Sequence, residues 1–112
     1  MRRVLFILLL AGCSKGPEAD LQYIGQARSS AAEWALVNER ASLGQLTHPY
    51  VDSMRRSLRS QIKSARSALT MPGSRYDTEM EALLAQPDET SPQELRTHVE
   101  RLKQIEDELE SA

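Results

Sequence analysis

Thr47-His48-Pro49-Tyr50-Val51-Asp52-Ser53-Met54-Arg55-Arg56-Ser57-Leu58-Arg59-Ser60-Gln61-Ile62-Lys63-Ser64-Ala65-Arg66-Ser67-Ala68-Leu69-Thr70 is the stretch from which the fold is read. Val51, Met54, Leu58, Ile62, Ala65 and Leu69 recur at spacings of three and four, the period of a helix with one buried stripe. Thr47 supplies a cap oxygen at its start, and Pro49 sits in the first turn, where its missing N–H is no loss. The helix is expected to end near Thr70, because Met71-Pro72-Gly73-Ser74 is a turn by composition. A single apolar stripe is stable only against a partner, so the flanking chain has to provide one.

Upstream, Ile24, Ala27, Ala31, Trp34, Ala35 and Ala41 repeat at helical spacing until Gly44, which predicts a helix over Asp20 to Leu43 with Asp20 as its cap. Its stripe is alanine-rich, so a neighbour can approach closely, and Gly25 inside it costs roughly 1 kcal/mol relative to alanine. Downstream, Tyr76, Met80, Leu83 and Leu84 predict a short helix that stops at Gln86-Pro87. Ser91-Pro92-Gln93-Glu94 reads as a capping box, and Leu95, Val99, Leu102, Ile105 and Leu109 carry a last helix from Pro92 to about Glu110. No stretch alternates like a half-buried strand. The expected fold class is all-α: a small antiparallel bundle of three long helices and one short one, in which the first two form a hairpin and the fourth packs against it.

The chain opens differently. Arg2 and Arg3 precede an unbroken apolar run from Val4 to Leu10, followed by Ala11, Gly12 and Cys13, the sole cysteine. That run is a signal segment by pattern, and it is too short to span a bilayer, which takes about 20 apolar residues. Leu10-Ala11-Gly12-Cys13 resembles the lipobox of bacterial lipoproteins. The resemblance implies cleavage between Gly12 and Cys13, with lipidation of the Cys13 thiol. It divides the chain into a signal helix over 1–12, a lipidated cysteine and flexible tether over 13–19, and a helical domain over 20–112. Acyl chains would anchor the protein, since each buried methylene contributes roughly 0.8 kcal/mol. Ser14 stands where an aspartate retains such proteins at the inner membrane in enteric members, so the outer membrane facing the periplasm is the expected location. The mature part also looks like short helical lipoproteins of alphaproteobacteria, in layout and in the run Leu102-Lys103-Gln104-Ile105-Glu106. That group carries no assigned activity.

Composition narrows function by exclusion. The whole chain has 14 Lys and Arg against 16 Asp and Glu, a formal charge of −2, and loss of Arg2 and Arg3 takes it to −4. Such a chain is no nucleic-acid binder. With Cys13 lipidated no disulfide is available, so the helices rely on packing. Ser60 and Lys63 match the Ser-x-x-Lys spacing, but the larger framework and companion motifs of enzymes that use it are absent. His48 and His98 are the only histidines, and no spacing suggests a metal or other cofactor site. His98 falls on the apolar arc of its helix, where a histidine bonded to a backbone carbonyl is expected. Glu106-Asp107-Glu108 and Glu110 lie near a helix C-terminus, where the macrodipole disfavours anions, and are expected to be solvated and frayed.

One feature stands out. On the central helix, Arg55, Arg56, Arg59, Lys63 and Arg66 gather in one sector beside the apolar stripe, and Ser53, Ser57, Ser60, Ser64 and Ser67 in another. The cations have two readings. They pair with Glu33 and Glu39 of the first helix or with the acidic fourth helix, as surface ion pairs, or they form a docking strip for an acidic protein or an anionic envelope polymer. The serines are solvent surface or a close-packing face for another copy. The expected function is that of a non-enzymatic, membrane-anchored envelope protein that binds or braces a partner; the alternative is a small enzyme or inhibitor acting on envelope material.

Overall fold

The structure, a computed structural model, describes residues 16–112, which form α1 (Pro17–Ser42), α2 (His48–Ser67), α3 (Arg75–Leu84) and α4 (Pro92–Ser111) and no strand. Each start is set locally. Thr47, Ser74 and Ser91 accept the backbone N–H of Tyr50, Asp77 and Glu94 at 3.4, 3.2 and 3.1 Å, and such caps each contribute about 1 kcal/mol. Proline stands in the first turn of α1, α2 and α4. At the end of α1, Gly44 takes φ 70°. Its N–H reaches Ala41 O and the Gln45 N–H reaches Arg40 O, each at 3.0 Å, which closes the orphan carbonyls and turns the chain back into α2.

The helices run alternately up and down. α1 is the central element: α2 packs on one side of it and α4 on the other, while α2 and α4 do not approach each other. α4 packs against the hairpin of α1 and α2 as expected, and it does so through α1. α3 fills the gap between α2 and α4. This sandwiching explains the weak amphipathicity of α1, which buries Ala27, Ala31 and Ala35 together with Ile24, Trp34, Val37, Ser30 and Asn38. Leu58 and Ile62 of α2, Tyr76, Met80 and Leu83 of α3, and Leu95 and Leu102 of α4 close around it. Among the described residues the core runs from Ile24 to Ile105. Among the described residues no helix is long and apolar enough to cross a membrane.

Two expectations at the helix ends are corrected. α1 begins at Pro17, so residues 17–19, assigned to the tether, are helical, and Gly16 (φ 103°) is the cap position instead of Asp20. Asp20 is fully buried. Its Oδ1 accepts Thr70 N at 2.9 Å and Thr70 Oγ1 at 3.0 Å, and its Oδ2 accepts the Tyr76 hydroxyl at 2.7 Å. Burial first, and then this bond, push the Tyr76 hydroxyl from 10.0 up to about 12. Gly16 N donates to Thr70 Oγ1 at 3.0 Å, so the point where the chain enters the domain is fixed beside the α2–α3 turn. At the far end of the chain, α4 continues to Ser111 with its acidic tail in use. Glu106 accepts Arg28 Nε at 2.7 Å and Glu108 pairs with Arg75. Gly25 leaves room for the first of these pairs, since a Cβ there would lie 3.1 Å from Glu106 Oε2.

Candidate functional site

The five cations of α2 separate into two groups. Arg55, Arg59 and Arg66 lean toward the α3 side and are held by the protein. Arg55 Nε donates to Asn38 Oδ1 at 2.9 Å, and Asn38 Nδ2 in turn reaches Asp88 O at 2.9 Å and Thr90 O at 2.7 Å. Arg59 donates to Leu84 O and Gln86 O, each at 2.7 Å. Its guanidinium lies 4.9 Å from the centre of the Trp34 ring, and Asp88 Oδ1 is 3.6 Å away. A cation on the last carbonyls of α3 completes that helix end, where the macrodipole is negative. Arg66 Nε meets Asp77 Oδ1 at 2.6 Å, with Glu81 at 3.6 Å. That bond, helped by the Gly73 N–H at 2.8 Å, holds the Asp77 carboxyl below its ordinary value.

The partners of these three arginines are α3, the loop after it and Asn38. They are neither Glu33 nor Glu39 nor α4, where sequence reasoning looked; Glu39 pairs instead with Arg96. The miss has a simple cause. Helical angle shows where a charge lies on its own helix, but the orientation of α3 against α2 depends on the Met71–Ser74 turn and on Tyr76 reaching Asp20, 56 residues away.

Arg56 and Lys63 are different. Both are exposed, and among the described residues neither has an ion-pair or hydrogen-bond partner. With Ser60 and Ser67, also exposed and unpartnered, they make a row at spacings of four, three and four. At 100° per residue the row falls within about 60° of arc, roughly opposite the buried stripe. Sequence reasoning split this row between a basic and a serine sector; the 4-3-4 spacing was the signal that joins them. Beside the row, a groove of about 840 Å³ opens between α2 and α3, lined by Arg56, Arg59, Lys63 and Arg66 against the single carboxylate of Asp77. Asp77 is already engaged by Arg66, so the surplus is positive. The groove presents ammonium, guanidinium and hydroxyl donors together, a set suited to phosphate or carboxylate oxygens.

Other sequence candidates sit elsewhere. Ser60 and Lys63 are both exposed, and among the described residues neither has a hydrogen-bond or ion-pair partner. His98 is buried between α3 and α4, where its Nδ1 meets a carboxylate oxygen of Glu79 and not the backbone carbonyl expected. Arg101 is 3.8 Å from the same oxygen. Gly12 and Cys13, the expected cleavage and lipidation residues, lie outside the described residues. Among the described residues no group of three or more His, Cys, Asp or Glu side chains converges to hold a metal ion. No family model matches the chain, and no curated protein or solved structure matches it either.

Proposed function

We propose that the chain is a lipid-anchored, non-enzymatic lipoprotein of the cell envelope, attached through Cys13 to the outer membrane on its periplasmic side, that works by binding an anionic partner at the α2–α3 groove. The observation that carries the binding part is the row of unpartnered donors, Arg56, Ser60, Lys63 and Ser67, along a groove whose other cations are fixed in place. The protein maintains this positive surface in a domain that is acidic overall, and anions gain both encounter rate and charge-assisted hydrogen bonds from it. The lipobox-like Leu10-Ala11-Gly12-Cys13 supports the anchor.

Two measurements test this reading. Intact mass of the membrane-extracted protein should lack Met1 to Gly12 and carry acyl mass on Cys13, and Cys13→Ser should release the protein from the membrane; an unmodified amino terminus in the same fraction refutes the anchor. The full-length protein is then crosslinked in cells, and the attached envelope material is compared with that of Arg56→Glu/Lys63→Glu. Neither residue has a partner to lose among the described residues, so the variant should fold as the wild type. Recovery should fall, and equal recovery refutes the groove as a binding site.

A further inference from the structure

The crosslinking test leaves open what the groove's anion is, and three features of the fold narrow it. The first is charge asymmetry. α2 carries five cations against Asp52, whereas α4 carries six carboxylates against Arg96, Arg101 and Lys103, and α1 stands between the two helices. The domain is therefore polar across its width, positive on the α2 flank and negative on the α4 flank. The second is the chain's point of entry. Gly16 is tied to Thr70 at 3.0 Å, and Thr70 lies three residues beyond Ser67, the end of the donor row. The third is reach: Gly16 follows Cys13 by three positions, and even fully extended those three steps span at most about 10 Å.

Resting on the anchor and the groove proposed above, we infer that the groove's anionic partner is the headgroup layer of the membrane that holds Cys13. The domain lies on it with the α2 crest and the α2–α3 groove facing anionic phospholipid. The short tether keeps the Ser67 end of the row within reach of headgroup phosphates. The row then runs along the surface, Lys63 and Arg56 being about 10 Å apart by helical rise. The α4 flank is repelled and faces away. Affinity need not be high, because the anchor already supplies a large effective concentration. Each cation near an anionic leaflet favours the docked orientation roughly fivefold, and the two free ones together about 25-fold. In this reading the protein is oriented as well as tethered, with its Leu43 and Tyr50 end pointing along the membrane instead of into solution.

Labelling at single introduced cysteines tests it, since Cys13 is the sole natural cysteine and its thiol is acylated in the mature protein. Full-length lipidated protein carrying Ser64→Cys, beside the row, or Thr97→Cys, on exposed α4, is labelled with a fluorophore. It is then reconstituted into phosphatidylcholine vesicles with or without phosphatidylglycerol. The label at 64 should become shielded from an aqueous quencher only on anionic vesicles, while the label at 97 stays open. Shielding should vanish in high salt, as charge screening requires, and in Arg56→Glu/Lys63→Glu. Equal quenching at 64 and 97 on anionic vesicles overturns the inference. Soluble polyphosphate added to neutral vesicles separates the levels. If polyphosphate shields position 64 and anionic lipid does not, the partner is a soluble anionic polymer and the groove reading survives. If neither does, the groove reading falls too; if the protein does not stay on vesicles at all, the anchor does.

Discussion

Replacing Arg59 with alanine is expected to be the most damaging single change on the surface of α2, although the residue belongs by sequence to the same basic sector as Arg56. The Arg59 side chain is 28% exposed. It makes two hydrogen bonds of 2.7 Å to the carbonyls of Leu84 and Gln86, and it covers Trp34 at 4.9 Å. Hydrogen bonds from a charged donor contribute roughly 1.5–3 kcal/mol each when well formed, and a cation over an indole roughly 0.5–2 kcal/mol. Water can replace part of the guanidinium at carbonyls this close to the surface, which puts the expected loss at about 2–4 kcal/mol. For a domain of this size that lowers Tm by on the order of 10–20 °C. Arg56→Ala should stay within about 0.5 kcal/mol, as exposed unpartnered positions do. Urea unfolding followed by Trp34 fluorescence and by circular dichroism measures both variants, and Trp34 is the only tryptophan. A loss below 0.5 kcal/mol for Arg59→Ala, or equal losses for the two, would refute the division of the basic sector into structural and free cations.

Leu58→Ala, a change at a fully buried position, should cost about 2–5 kcal/mol in the same urea assay. The Tyr76 hydroxyl is held protonated in the fold, with its value pushed up to about 12. Its contribution to stability is therefore complete below pH 10 and is lost as pH rises from 10 to about 12, and the difference between wild type and Tyr76→Phe in urea midpoint should shrink across that window. Asp77 is held below its ordinary 3.8, so its contribution persists above pH 3.8 and is lost as pH falls below it; Asp77→Asn should remove that part of the acid sensitivity. Gly25→Ala should gain about 1 kcal/mol of helix stability in a Glu106→Ala background. In the wild type it should gain less, because the new Cβ would sit 3.1 Å from Glu106 Oε2.

Helix existence, the starts of α2 and α4 and the end of α3 are legible in the sequence because each is set within a few residues. Thr47 and Ser91 cap where their spacing says, whereas α2 ends at Ser67, three residues before the Thr70 that composition suggests, and the Thr70 N–H goes to Asp20. The start of α1 at Pro17 departs from the expected Asp20 for the opposite reason. Asp20 has a good cap residue's chemistry, but Thr70 and Tyr76, 50 and 56 residues away, claim its carboxylate. Pro17 behind Gly16 was the overlooked start signal. His98 shows the same limit: periodicity placed it at the core, while Glu79, 19 residues earlier, decides what it bonds. The candidate site was half legible. The cations could be gathered onto one face from sequence, but which were spoken for depended on α3.

The division of the α2 cations also bears on how a small domain without disulfides keeps an exposed positive surface. Packing on one helix's apolar stripe would leave α3, only ten residues long, weakly held, since a helix that short is marginal alone. Arg59 and Arg66 bind its two ends, Arg66 at Asp77 in the first turn and Arg59 at the Leu84 carbonyl in the last. Those same contacts draw α3 alongside α2 and so build the groove wall. The arginines that hold the groove open are thus consumed in doing so, and of the five α2 cations Arg56 and Lys63 are the two without a partner among the described residues. On the function proposed above, binding and folding draw on one basic sector but on different residues of it. Mutations that abolish binding without unfolding should therefore cluster at Arg56, Ser60, Lys63 and Ser67, whereas those at Arg55, Arg59 and Arg66 should fail through stability first.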